Sequence, residues 1–168
     1  METNLLLSDL INFSGAKATI ISPAGYDSYD SGLEIIGITS NSNEVKAGFL
    51  FAALHGSNFN GAQFVPEAVA RGAVAILIDE TSEVLSKPIT VHAISTDSPR
   101  RLFALMSAKF HRNQPDFIAA VTGTNGKTSV VEFSRQLWAM NGIKSASLGT
   151  LGVVADNLEL RSELTSPD

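Results

Sequence analysis

The sequence predicts an α/β protein made of two successive layered units, and three observations carry that prediction. Over the first hundred residues, short apolar runs of strand length alternate with segments of helical period. A proline-led amphipathic segment and a polar Asn113-Gln114-Pro115 link interrupt this alternation in the second half of the chain. Beyond the link, a continuous hydrophobic run leads directly into a glycine-rich loop followed by another helical segment.

Taken in order, Leu5, Leu6, Asp9, Leu10 and Phe13 give one apolar face at helical spacing and predict a short first helix. Residues 18–21 and 33–38 read as strands, and residues 48–54 (Gly-Phe-Leu-Phe-Ala-Ala-Leu) as a buried one. Residues 64–71 form a helix closed by Gly72, residues 73–78 a second buried strand, and residues 89–94 one more. Asp97 or Ser98 then caps a helix that tolerates Pro99 in its first turn. Leu102, Phe103, Leu105, Met106 and Phe110 supply its apolar stripe as far as His111. The expected organisation is a first domain over residues 1–96, a connecting helix and linker over 97–115, and the beginning of a second domain over 116–168.

Composition narrows the function. With 44% apolar and 17% charged residues among 168, the chain has the makings of a packed core. A net charge of −5 with no block of like charge supplies no basic face for nonspecific nucleic-acid binding. The absence of cysteine excludes disulfides, thiolate catalysis and cysteine zinc sites, and is compatible with a reducing cytoplasm. The N-terminus carries Glu2 and no basic region, so it does not read as a secretory signal. The longest apolar runs are strand-sized and too short to span a bilayer, so a soluble cytoplasmic protein without a membrane partner is expected. His55, His92 and His111 have no metal-like spacing, and Asp79-Glu80 reads as a solvated turn. Arg100 and Arg101 fit a solvent-facing helix start as well as they fit a phosphate contact.

The chemistry lies in residues 122–129, Thr-Gly-Thr-Asn-Gly-Lys-Thr-Ser, which follow the hydrophobic run 117–121. The helix after them has Val130, Val131, Phe133, Leu137 and Trp138 as its expected buried positions and Asn141-Gly142 as its stop. Strand, glycine loop, Gly-Lys-Thr and helix is the order that cradles a nucleotide's phosphates. Gly123, Thr124, Asn125 and Gly126 let the backbone wrap so that N–H groups converge on anionic oxygens, assisted by the helix N-terminus. Lys127, the expected catalytic residue, brings a full positive charge to the β- and γ-phosphates. Thr128 and Ser129 add hydroxyls, that of Thr128 as a ligand for the Mg²⁺ that accompanies ATP. The general pattern G-x-x-x-x-G-K-[ST] calls for glycine where this chain has Val121.

The loop resembles that of the Mur ligase family, which writes it Thr-Gly-Thr-Asn-Gly-Lys-Thr and has no glycine at the position of Val121. Residues 38–54, Gly56 to Gly61, Phe64, Ala68, Gly72-Ala73, Asp97, Pro99-Arg100 and Leu164-Thr165-Ser166-Pro167-Asp168 extend the resemblance over nearly the whole chain. They are similar to the branch whose N-terminal domain binds a UDP-linked substrate. The chain departs from the family at Asn41-Ser42-Asn43, where Asp-Ser-Arg is usual, and at Asn60-Gly61, where Asp-Gly is usual. Two asparagines can keep the first turn through side-chain hydrogen bonds.

The resemblance implies an ATP- and Mg²⁺-dependent amide ligase that adds the third residue of the peptidoglycan stem peptide. Its substrates would be UDP-N-acetylmuramoyl-L-alanyl-D-glutamate and a diamino acid, meso-diaminopimelate or L-lysine. The terminal carboxylate is activated as an acyl phosphate, and the protein mainly positions phosphates and neutralises charge. Ser40 and Ser42 would approach the uridine end, Ser57 and Asn58 would lie beside the uridine diphosphate, and Thr165 and Ser166 would reach the sugar nucleotide from the central domain. Family members have three domains, so a front portion that does not turn over alone is expected, with residues after about 145 packing poorly. The alternatives are a UDP-sugar or nucleotide-binding module without turnover, the sister ligase that adds D-alanyl-D-alanine, and a folylpolyglutamate synthetase. A front domain of about a hundred residues disfavours the last.

Overall fold

The computed structural model describes residues 4–23, 32–56 and 60–160, and the chain divides into two compact units at Gln114/Pro115. Four strands of the first unit are parallel neighbours: β4 (Gly37–Thr39), β5 (Phe49–Ala52), β6 (Ala75–Asp79) and β7 (His92–Thr96), where β1 (Leu5–Leu6), β2 (Thr19–Ile21) and β3 (Glu34–Ile35) precede them in the chain. The sheet runs β2-β7-β6-β5-β4, with β2 antiparallel on β7. β1 and β3 form a separate two-stranded antiparallel pair.

The central strands are apolar at consecutive positions because both faces of the sheet are covered, as parallel sheets require. The alternation of side chains along a strand then divides them between two cores. Leu50, Ala52, Ala75, Leu77 and Ile94 point to one face, where α1 (Leu7–Ser14) and a long helix at Pro99–His111 supply Leu7, Leu10, Leu102, Met106 and Phe110. Phe51, Ala53, Ile76, Ile78 and Ala93 point to the other, under Val65 and Ala68 of α2 (Val65–Ala70). The long helix is α3. It begins with Pro99 at its first position and buries Leu102, Met106 and Phe110, one residue per turn. By packing it is part of the first unit's core, although its sequence reads as a connection.

Several expected boundaries shift. Leu5 and Leu6 are in β1 rather than in the first helix, and Phe13 at the far end of α1 is 52% exposed with the Lys109 ammonium over its ring. The run 33–38 divides into β3 and β4, because its first part pairs with β1 and its second with β5. The strand expected at 89–94 lies at His92–Thr96, set by its register on β6.

The second unit consists of α4 (Lys127–Met140) and an antiparallel meander of β8 (Ala146–Gly149), β9 (Gly152–Ala155) and β10 (Leu158–Leu160). Two expectations fail here. The hydrophobic run 117–121 pairs with no strand among the described residues, and Phe117 and Ile118 are exposed. Val130, Phe133 and Leu137 of α4, expected to be buried, are 51%, 63% and 59% exposed, and Val131 and Trp138 are half-buried. Apolar periodicity specifies which face of a helix seeks cover, but burial also needs a second surface, and here Phe117 set edge-on to Trp138 at 5.8 Å covers only part of that face. Among the described residues, no helix is long and apolar enough to cross a membrane.

Candidate functional site

In the second unit, Gly123 and Gly126 take φ values of +150° and +76°. Gly126 is the N-cap of α4 and adopts the left-handed conformation that a side chain disfavours. A glycine offers no side-chain cap, so the first amides of this 14-residue helix have no side-chain partner at the cap. Residues 122–130 are all exposed, and the loop contains no carboxylate. An exposed, uncapped helix start without a competing anion suits a phosphate.

Lys127 is the first residue of α4, and its ammonium folds back to donate to the carbonyl oxygens of Gly123 and, at 3.3 Å, Thr124. It is not held in a core ion pair. Thr128 places its hydroxyl 2.9 Å from that of Thr150, in the turn between β8 and β9. Lys127, Thr128 and Thr150 share a cavity of about 210 Å³ with Val121, Glu132 and Gly152. That volume is below the 300 Å³ or more typical of a whole-ligand pocket, so it matches part of a nucleotide rather than all of one.

Behind the loop, Glu132 accepts from the Arg135 guanidinium, from Gln136 at 3.0 Å and from Ser147 on β8 at 3.1 Å. These donors, Arg135 first, hold its carboxyl at about 2, well below the usual carboxylate range. Arg135 also lies 3.7 Å from Asp156. The carboxylate that lines the cavity is therefore already paired. Among the described residues no group of three or more histidines and carboxylates could hold a metal ion by itself. The Thr128 hydroxyl oxygen suits Mg²⁺ arriving on a phosphate chain, since that ion keeps much of its shell in water and phosphate oxygens, while the ammonium and the amides suit the phosphates themselves.

The other expected residues belong to the first unit or lie outside the described residues. Ser40 is half-buried just beyond the C-terminal end of β4, the edge at which open parallel sheets bind ligands. Ser42 is buried, and its hydroxyl donates to Glu67 on α2 at 3.5 Å. Ser57, Asn58, Thr165 and Ser166 lie outside the described residues. The two asparagines that flank Ser42 hold the turn: Asn41 Oδ1 accepts from the Asn43 amide at 3.0 Å, and Asn41 Nδ2 donates to Glu44 at 3.3 Å.

Sequence reasoning missed Arg71 and Thr150, and it named Arg100 without its partner. Arg71 pairs with Glu67 at 2.9 Å and donates to the Asn43 carbonyl and side chain, tying the Ser42 turn to α2. The Glu67/Arg71 spacing of four was a readable signal of the pair. Arg100 donates to the His55 carbonyl at 3.0 Å, a contact across 45 residues with no local signature. Thr150 likewise has none. Asp79 behaves as read: its carboxylate accepts from the Thr81 hydroxyl at 2.6 Å and the Thr81 amide at 2.9 Å, which lowers its pKa. The first unit also has an apolar hollow of about 440 Å³ bounded by α2 and residues 84–91, with Lys87 as its charged group.

Comparison with known proteins follows this geometry. Residues 34–121 match the family described as "Mur ligase family, catalytic domain". The UDP-N-acetylmuramoyl-L-alanyl-D-glutamate--2,6-diaminopimelate ligase of Brucella melitensis is 44% identical over 136 residues, 81% of this chain and 28% of that protein. The Bradyrhizobium diazoefficiens protein of the same name is 46% identical over 81% of this chain and 27% of its own length. The chain thus spans little more than a quarter of these relatives. A solved structure of a UDP-N-acetylmuramoyl-L-alanyl-D-glutamate--2,6-diaminopimelate ligase superposes with a TM-score of 0.63 at 22% identity, over 89% of this chain and 31% of that one, a likeness of fold.

Proposed function

Because this chain belongs to the Mur ligase family, we propose that it supplies the phosphate-binding loop and the UDP-substrate domain of an ATP-dependent ligase. That ligase joins a diamino acid to UDP-N-acetylmuramoyl-L-alanyl-D-glutamate in peptidoglycan precursor synthesis. The observation that carries the reading is the loop at 123–129, an exposed, uncapped helix start with Lys127 and Thr128 at its first two positions. The names of the relatives favour 2,6-diaminopimelate over lysine as the added residue.

In this reading the amides of residues 123–128 receive the phosphate oxygens, and Gly126 keeps them accessible by having no side chain. Lys127 exchanges its two carbonyl partners for β- and γ-phosphate oxygens and neutralises charge as the phosphoryl group moves. Thr128 presents its hydroxyl oxygen to Mg²⁺, with Ser129 beside it. ATP supplies the phosphoryl group that activates the substrate carboxylate toward the incoming amine. In the first domain, Ser40 and the Ser42 turn, with Ser57 and Asn58, would receive the uridine diphosphate end, while Thr165 and Ser166 would reach the sugar nucleotide from the central domain. Ser42 would act there by shaping the turn, since its hydroxyl is engaged with Glu67.

Titration calorimetry with ADP and MgCl₂ tests the loop. Lys127→Ala is expected to weaken binding about 10- to 100-fold, the size of a hydrogen bond to a charged group. Its melting temperature should stay unchanged, because the hydrogen bonds from the Lys127 ammonium to the loop carbonyls are open to solvent. Equal affinity of the two proteins would remove the reading.

A further inference from the structure

Thr150 has no role in the phosphate-binding loop as read from sequence, since it stands 22 residues beyond Thr128. It occupies the two-residue turn between β8 and β9, whose register is fixed by pairing from Ala146↔Ala155 to Gly149↔Gly152. The hairpin thereby holds a hydroxyl 2.9 Å from Thr128 Oγ1, at the lining of the same cavity.

A hydroxyl carries one proton and two lone pairs. If Thr150 donated to Thr128, it would use one of the lone pairs that a cation needs and leave the Thr128 proton free to point at that cation. If Thr128 donates to Thr150, its proton is turned away and its lone pairs are released toward the loop. The second arrangement suits a cation ligand better, because coordination makes a hydroxyl a stronger donor and leaves both of its lone pairs on the cation's side. We infer that Thr150 is a positioning residue: it accepts the Thr128 proton and so aims the Thr128 oxygen at the magnesium ion of a bound nucleotide. This rests on the proposed function above, and it adds a residue from outside the loop that acts on the cation rather than on the phosphates.

The consequence is specific to magnesium. ADP affinity would be measured by calorimetry in MgCl₂ and again in EDTA, with the ratio of the two as the readout. Thr150→Val, which keeps the shape and removes the acceptor, is expected to reduce that ratio about fivefold, the size of one hydrogen bond, and to leave the EDTA affinity unchanged. Thr150→Ser should retain the native ratio, whereas Thr150→Ala should lose it as the valine variant does. The Ser/Ala pair shares the loss of the methyl group and isolates the hydroxyl whatever valine does to packing. A native ratio in both the valine and alanine variants would overturn the inference and leave the loop assignment standing. So would a parallel loss of affinity with and without magnesium. Failure of the native protein to bind ADP in either buffer would overturn both.

Discussion

Gly61→Ala adds a single methyl group at a point where the backbone of the first unit leaves no room for one. A Cβ at this position would lie 2.5 Å from the Leu54 carbonyl oxygen and 2.6 Å from Ala53 C and Leu54 N, all main-chain atoms. Ordinary contact begins at 3.4 Å, so the two segments must separate by about 0.9 Å. The Gly61 amide donates to that same Leu54 carbonyl at 2.9 Å, and opening the gap breaks the bond. Forced overpacking costs about 1–3 kcal/mol and the broken hydrogen bond about 1 kcal/mol more, giving roughly 2–4 kcal/mol. For a unit near a hundred residues, each kcal/mol moves the midpoint by about 4–8 °C, so a fall of at least ~8 °C is expected in a thermal melt followed by circular dichroism. Gly126→Ala is the control, because no atom lies within 4 Å of its Cβ and only its φ of +76° opposes the change. A melt of Gly61→Ala within about 2 °C of the native protein would refute the argument from close approach.

Two further outcomes follow from the packing and the charges. Leu102→Ala should destabilise the first unit by about 2–5 kcal/mol in urea unfolding, because Leu102 is fully buried in the core that α3 shares with α1 and the sheet. Glu132 gives a pH signature. Its folded pKa of about 2 lies below the ordinary 4.5, so its stabilisation is complete above pH 4.5 and is lost as pH falls through 4.5 toward 2. Trp138, the only tryptophan, sits on the same helix, and its fluorescence should report this acid transition. Glu132→Gln should flatten the pH dependence, and an unchanged slope would count against the Arg135 pairing.

The sequence was informative where a pattern is local. The apolar runs at 48–54 and 73–78 revealed β5 and β6 because a parallel strand covered on both faces needs no alternation of polar residues. Pro99 and the stripe from Leu102 to Phe110 marked α3 for the same local reason. The start of α4 at Lys127 was legible because the Gly-Thr-Asn-Gly-Lys-Thr pattern is consecutive in the chain. Burial in α4 was not, since Phe133 and Leu137 display the right period and are still left mostly exposed. Arg100 at His55 and Thr150 at Thr128 are contacts made by topology across 45 and 22 residues, and no spacing rule encodes them.

The folded-back position of Lys127 bears on how quickly an anion could be captured. Its ammonium already rests on two oxygens of its own loop, so it needs no search through rotamers in open solvent. On the proposed reading, arrival of a phosphate would exchange these two carbonyl oxygens for phosphate oxygens within reach of a single side chain. Such a swap would give up the two carbonyl contacts as the phosphate contacts form, which would lower the net gain and favour rapid release.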